Sequence, residues 1–274
     1  MKLKTALLFF AALLLGLQVR VCPAAAKQPS LGIAEQQTLL DAADSFFHEA
    51  NDLAAENPGQ AEELYRKALL RYERLAESGI TNGMIYYNIG NIHYLLGQLG
   101  KAILNYRRAE QYRPDDDNLQ QNIAFVSSKK VDAIETEPQD RVLHTVFFWH
   151  YDTSTRSRAV LFAVFYGLFW VAITLRLFFN FLPRWPARTF LVLFVILSAS
   201  LAFDLTSGAI PRGVIISEEV TARKGDGYNY RSSFEAPLHA GTEFKLLDRR
   251  GNWLQIELAD GRHCWIPAKD AGIV

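Results

Sequence analysis

The chain is predicted to be multidomain: an all-α helical-repeat solenoid, then a two-helix hairpin of membrane-spanning length, then a small all-β barrel. Three observations predict this. One spacing of small and aromatic residues recurs in the N-terminal half, two apolar runs follow, and beyond residue 210 the apolar period drops to two. The 274 residues carry 29 basic and 29 acidic side chains, a formal net charge of zero. Those charges are segregated: residues 35–140 are polar and 159–205 nearly charge-free, as separate modules would be. No long basic run is present, so nothing suggests nucleic acid as a partner.

Residues 1–26 read as a secretory signal peptide. Lys2 and Lys4 precede the apolar run Leu7–Leu17, too short to span as a mature helix, and Ala24-Ala25-Ala26 supplies a small-residue cleavage site. Cys22 raises lipid attachment, but Arg20 lies wrongly beside it. Cleavage after Ala26 leaves Cys264 as the only cysteine, which excludes an internal disulfide and a cysteine-based metal site.

The repeat lies in residues 35–130. From Gly83 to Asp116, Tyr86 occupies an aromatic position and Ile89-Gly90 follow it. Ala102, Tyr106 and Ala109 give a small-aromatic-small second helix, and Pro114 closes the unit. This spacing resembles a tetratricopeptide (TPR) unit with its period of about 34 residues. The physical reason is packing. Gly90, Ala102 and Ala109 stand where two antiparallel helices approach closely, and Tyr86 and Tyr106 fill the gaps. Gly97 ends the first helix with a left-handed turn and Pro114 stops the second. A weaker unit precedes: Ala61, Tyr65 and Ala68 repeat the spacing, after a helix over about Leu39–Ala55 that Asn57-Pro58-Gly59 breaks. The stretch Leu69–Thr81 predicts an extended second helix. After Pro114, Leu119, Asn122, Ile123 and Ala124 begin a unit that never completes and read as a capping helix.

A TPR array offers a concave groove lined by its first helices. The repeat register points Tyr87, Asn91 and Tyr94 toward it, with Asn88 beside them and Asn122 joining from the cap. These residues suit peptide or helix capture. For each one alone, an ordinary place on a solvated face competes with that role.

Residues 141–210 read as membrane section. The first run spans 159–182 and the second 187–207, with Pro183-Arg184-Trp185-Pro186 as the turn; each is long enough to cross a bilayer. The signal peptide places residues 27–158 outside and the turn in the cytoplasm. Arg184 and Arg188 agree with the positive-inside rule, whereas Arg156 and Arg158 oppose it. Arg176 and Asp204 sit near opposite faces and read as interfacial. The aromatic stretch within 141–158 fits an interfacial helix, or a docking helix for a partner.

In 211–274, Val214–Ile216, Phe244–Leu247, Trp253–Leu258 and His263–Ile266 alternate as short strands. Gly225-Asp226-Gly227, Arg250-Gly251-Asn252 and Asp260-Gly261 separate them. The pattern Pro237-Leu238, Gly241, Trp253, Asp260-Gly261-Arg262, Trp265-Ile266-Pro267 resembles a bacterial SH3-like domain. Trp253 and Pro267 match the aromatic shelf with which such domains hold ligands, Trp265 is a candidate for surface or core, and Arg223 and Asp270 stand where further aromatics are wanted. No catalytic constellation emerges. The six histidines lack metal spacing and no phosphate loop or nucleophile motif is present, so neither a cofactor nor a metal is expected.

The order signal, TPR, hairpin, SH3-like barrel resembles the BatE-type proteins of the Bacteroides aerotolerance (Bat) system. The runs Tyr86-Tyr87-Asn88-Ile89-Gly90-Asn91 and Gly100-Lys101-Ala102-Ile103-Leu104-Asn105-Tyr106 carry the likeness. The resemblance implies a non-enzymatic scaffold in the inner membrane, with both soluble modules in the periplasm. Its implied partners are von Willebrand A-domain membrane proteins and a MoxR-type ATPase, in a stress or aerotolerance role. The competing expectation is an envelope sensor or anchor whose barrel binds peptidoglycan.

Overall fold

The computed structural model describes residues 31–80, 82–134, 147, 149, 153, 155–179, 183, 185–206 and 210–274. The expected signal peptide, and the interfacial segment 141–158 up to residue 154 save three positions, lie outside the described residues.

Five helices form the N-terminal half: α1 Ile33–Leu53, α2 Pro58–Glu77, α3 Gly83–Leu95, α4 Leu99–Tyr112 and α5 Asp117–Ser127. Local chemistry sets their ends. Asn57 caps α2 by accepting from the Gln60 amide at 3.2 Å, with Pro58 at the first helical position. The Asp116 carboxylate accepts from the amides of Asn118 and Leu119, so Asp115-Asp116-Asp117 is a helix cap. Gly97 closes α3 at φ +72°, a conformation that favours glycine. Helix α2 runs 20 residues, because Tyr72 and Leu75 continue its buried stripe. The helices pair α1 with α2 and α3 with α4, and α5 packs onto α4.

Two further helices follow, α6 Thr155–Phe178 and α7 Trp185–Thr206. Both are long and apolar enough to cross a membrane. They pack on each other through Phe162 and Phe169 against Phe194, and Phe165 against Phe190. Their other faces leave Val160, Val171, Val192 and Phe203 at least half exposed. Near the start of α6, Arg158 donates to Ser200 at 2.6 Å and to Asp204 at 2.8 Å. Asp204 therefore meets a cation on its own end of the hairpin, a partner that its sequence position did not reveal.

The C-terminal region is an antiparallel β module, as its period of two predicts. Strands β1 Arg212–Ile215, β4 Glu243–Arg250, β5 Trp253–Glu257, β6 His263–Pro267 and β7 Ala271–Ile273 form a sheet ordered β6-β5-β4-β1-β7. Strands β2 Glu219–Val220 and β3 Leu238–His239 make a second, two-stranded sheet. Ile215, Val220, Leu238, Phe244, Leu254, Ile256 and Ile266 share one buried core. Gly251 and Gly261 take the positive φ that the two hairpin turns require.

The helical and β modules touch. Along α4, Gly100, Ile103, Leu104, Arg107 and Arg108 fall on one helical face, and that face meets β1 and β7. Arg107 donates to Glu243 at 2.7 Å, Lys130 donates to the same carboxylate at 3.2 Å, and Arg108 donates to the Ile273 carbonyl at 2.8 Å. Asp132, past the end of α5, accepts from the His239 amide, from the Thr242 hydroxyl and from the His239 ring, all within 2.7 Å. A side chain at Gly100 would strike the Ile215 carbonyl, so backbone meets backbone there, and one at Gly272 would strike the Leu104 side chain.

Candidate functional site

The residues predicted for the groove come together. Tyr87, Asn91 and Tyr94 share one face of α3, where residues three, four and seven apart align. Tyr87, Asn88, Asn91, Tyr94 and Asn122 are all half-buried. They are held by a hydrogen-bond network. The Tyr106 hydroxyl, rising from α4, donates to the Asn91 side-chain oxygen at 2.7 Å. The Asn122 amide donates to the Tyr87 hydroxyl at 3.0 Å and to the Asn91 oxygen at 3.3 Å. Asn88 donates to the Tyr72 hydroxyl at 3.1 Å, and Tyr72 donates in turn to Asp44 on α1. Tyr65 donates to Asn51 of α1 at 2.7 Å. One device recurs: a tyrosine on a second helix reaches through the pair and fixes a polar side chain on a first helix.

These bonds orient the amides. With its oxygen occupied by two donors, Asn91 keeps its NH2 as a donor. Asn122 has used both amide hydrogens and Asn88 one of its two, and both keep their oxygens as acceptors. Among the described residues none of these three remaining groups has a partner. Tyr94 sets its ring edge-on to Phe125 at 5.6 Å, and Phe125 is 50% exposed. The site thus joins alternating donors and acceptors with exposed aromatic area.

The electrostatics fit a binding surface with a rigid floor. Burial raises the phenols of Tyr72 and Tyr106 well above their ordinary values, and the Asp44 carboxylate pushes Tyr72 further. Both stay protonated and keep donating. His93, on the same helix but buried away from the groove, is lowered to about 4 by burial, despite a 2.9 Å hydrogen bond to Gln98. It is a neutral packing residue. Among the described residues no group of three metal-ligating side chains occurs.

Ile89, Gly90, Ala102, Tyr106 and Ala109 are buried, Tyr86 stacks on Tyr112 at 6.0 Å, and Pro114 is exposed just beyond α4. A Cβ at Gly90 would lie 2.6 Å from the Tyr106 ring.

In the β module Trp253 stands opposite Pro267 across β5 and β6, with Trp265 on the same strand as Pro267, and the three differ in burial. Trp265 and Pro267 are buried, and Trp265 lies under the Arg250 guanidinium at 5.0 Å. Trp253 is half-buried and meets Tyr228 edge-to-face at 4.9 Å. Tyr228 is 66% and Tyr230 46% exposed. Tyr228 supplies the aromatic that sequence reasoning sought at Arg223, and Arg223 stacks over it at 5.7 Å instead. The missed groove partners are Asp44, Asn51, Tyr65 and Tyr72. Of these only Tyr65 carried a signal, through its repeat spacing.

This arrangement of paired helices around a polar and aromatic first-helix face is like that of a tetratricopeptide repeat. Residues 83–116 match the tetratricopeptide repeat, the stretch that contains α3, α4 and four of the five groove residues. That repeat points to protein partners and a scaffolding role. No curated protein matches the chain.

Proposed function

We propose that the protein is a non-enzymatic scaffold, anchored in a membrane by α6 and α7, that recruits a partner protein through Tyr87, Asn88, Asn91, Tyr94 and Asn122. The carrying observation is the oriented amide network. It leaves amide donors on Asn88 and Asn91 and amide acceptors on Asn88 and Asn122 on one half-buried face beside aromatic side chains, which suits an extended main chain. Anchoring strengthens the reading, because two partners confined to one bilayer meet at raised effective concentration.

Several features support the membrane reading. The lipid-length faces of α6 and α7 carry large exposed apolar side chains, which water would penalise and lipid would not. The helical module precedes the hairpin, the β module follows it, and Arg107 bonds Glu243 directly. A hydrocarbon layer about 30 Å thick cannot lie between bonded groups. Both modules therefore belong on one side, and a double crossing satisfies that. The signal peptide expected over residues 1–26 supports the periplasm of an inner membrane as that side. The resemblance to Bat-type chains adds von Willebrand A-domain membrane proteins and a MoxR-type ATPase as the proposed complex, and an SH3-like barrel as the closed form of the β module.

The test combines Tyr87→Phe, Asn88→Ala and Tyr94→Ala in the full chain, with crosslinking in native membranes. Loss of crosslinked partners at unchanged helix content is expected. Partners that survive this variant, but vanish when 155–206 is replaced by an unrelated membrane hairpin, would move recruitment to the hairpin.

One observation favours a second reading. The exposed Tyr228 and the half-buried Trp253 form an aromatic pair on the surface of the small β module, which suits peptidoglycan binding. Co-sedimentation with purified sacculi, lost in Tyr228→Ala with Trp253→Ala, is its expected signature.

A further inference from the structure

Among the described residues, helices α1 to α4 form two pairs and α5 packs onto α4 with no second helix behind it. An array whose units bury surface only against their neighbours needs its last unit covered. Leu119, Ile123 and Val126 of α5 are no more than 5% exposed, and they share one buried cluster with Ile103 and Leu104 of α4 and with Val214 of β1. Ile216 and Val274 pack at its edge. Two of the helical module's last polar anchors also lead to the β module. Lys130 donates to Glu243, and Asp132 accepts three hydrogen bonds from His239 and Thr242.

We propose that the β module is the C-terminal cap of the repeat array, and that Asp132 and Glu243 are positioning residues for the groove. The path is short. Asp132 and Lys130 fix the chain leaving α5, and α5 carries Asn122. Asn122 makes two of the hydrogen bonds that orient the groove, to Tyr87 and to Asn91. The face of α4 that holds the β module belongs to the same helix whose Tyr106 bonds Asn91. The groove is therefore complete only when the residues beyond the hairpin have folded back onto α4 and α5. A chain emerging N-terminus first carries an open array until both apolar helices have been placed.

The experiment is hydrogen exchange, read by mass spectrometry, on the full chain in lipid nanodiscs, and it needs no ligand. Asp132→Ala removes the three-bond anchor from the helical side. Gly272→Val drives a wedge against Leu104 from the β side. Each is expected to speed exchange of α5 and of the C-terminal half of α3 by about tenfold, the scale of losing a buried charge-assisted cluster. Exchange in α1 and α2 stays within about twofold of the parent, because repeats couple mainly to neighbours. Asp132→Asn, which keeps an acceptor, recovers part of the protection. The proposal is overturned if α5 keeps its protection while β1 and β7 exchange faster, even in a variant whose β module has unfolded. That outcome makes the β module a passenger.

Discussion

Gly90→Ala tests the packing at the groove in a way that separates two opposed effects. Helix propensity alone makes this substitution stabilising by about 1 kcal/mol, because glycine in a helix interior gives up more backbone entropy than alanine. Packing opposes it. The new Cβ would sit 2.6 and 2.7 Å from two ring carbons of Tyr106, whereas carbon atoms attract best near 3.5–4.0 Å. The ring must retreat by roughly 1 Å. It has little room, since Tyr106 is 2% exposed and its hydroxyl is tied to Asn91 at 2.7 Å. Overpacking costs about 1–3 kcal/mol, and a strained or broken hydrogen bond adds about 1 kcal/mol. The net expectation is a loss of about 1–3 kcal/mol after propensity is credited. Urea unfolding of the full chain in detergent, followed by tyrosine fluorescence, gives the midpoint and slope. A lower midpoint at unchanged slope is expected. A higher midpoint would mean that propensity wins and that α3 and α4 do not meet closely at Gly90.

Protease added to spheroplasts should digest both soluble modules, and protection of either would refute the shared face. Asp132 and Glu243 are each pushed upward by burial, yet hydrogen bonds and charge from His239 and Thr242, and from Arg107 and Lys130, hold them below their ordinary values. Their stabilising contribution is full above the unfolded carboxylate range, near 4, and is lost as pH falls through their lower folded values. Exchange at β1 and β7 should therefore rise only below about pH 4. His93 behaves differently: its contribution is full above its unfolded value of 6.5 and falls away toward its folded value of about 4. His93→Gln should flatten the loss of urea midpoint across that window, and an unchanged slope would place His93 in water. Arg158→Ala should weaken the hairpin by removing the cation beside Asp204, seen as a lower temperature of aggregation in detergent, and Arg158→Lys should recover part of it.

The repeat was legible because it is written locally. Typed positions from Tyr86 to Pro114 lie within one period, and each small residue marks a close approach that the structure contains. The groove residues on α3 followed from the same register. Their partners did not, because the tyrosine device joins residues distant in sequence: Tyr72 bonds Asp44 across 28 positions and Asn88 across 16. No spacing within one helix encodes such a pair. Strands β2, β3 and β7 hold two or three residues each, too few for alternation to be visible. Tyr228 and Tyr230 lie in a loop, where no period exists to single them out. The contact between modules was the least legible of all. Arg107 and Glu243 are ordinary surface charges in isolation, and they meet only because a chain 136 positions longer returns to the same place.

That return has a thermodynamic side. Closing a loop costs entropy that grows with the logarithm of its length, and the segment between Ile134 and Arg212 contains the whole hairpin. Once α6 and α7 pair, Arg158 and Asp204 bring the two ends of the hairpin within hydrogen-bond distance. Pairing takes the residues of α6 and α7 out of the loop that must close, which lowers the closure cost. The anchor thus assists the docking of the modules on either side of it. By linkage, docking favours the paired hairpin by the same amount. Loosening Asp132 should therefore also lower the stability of the Arg158–Asp204 pair.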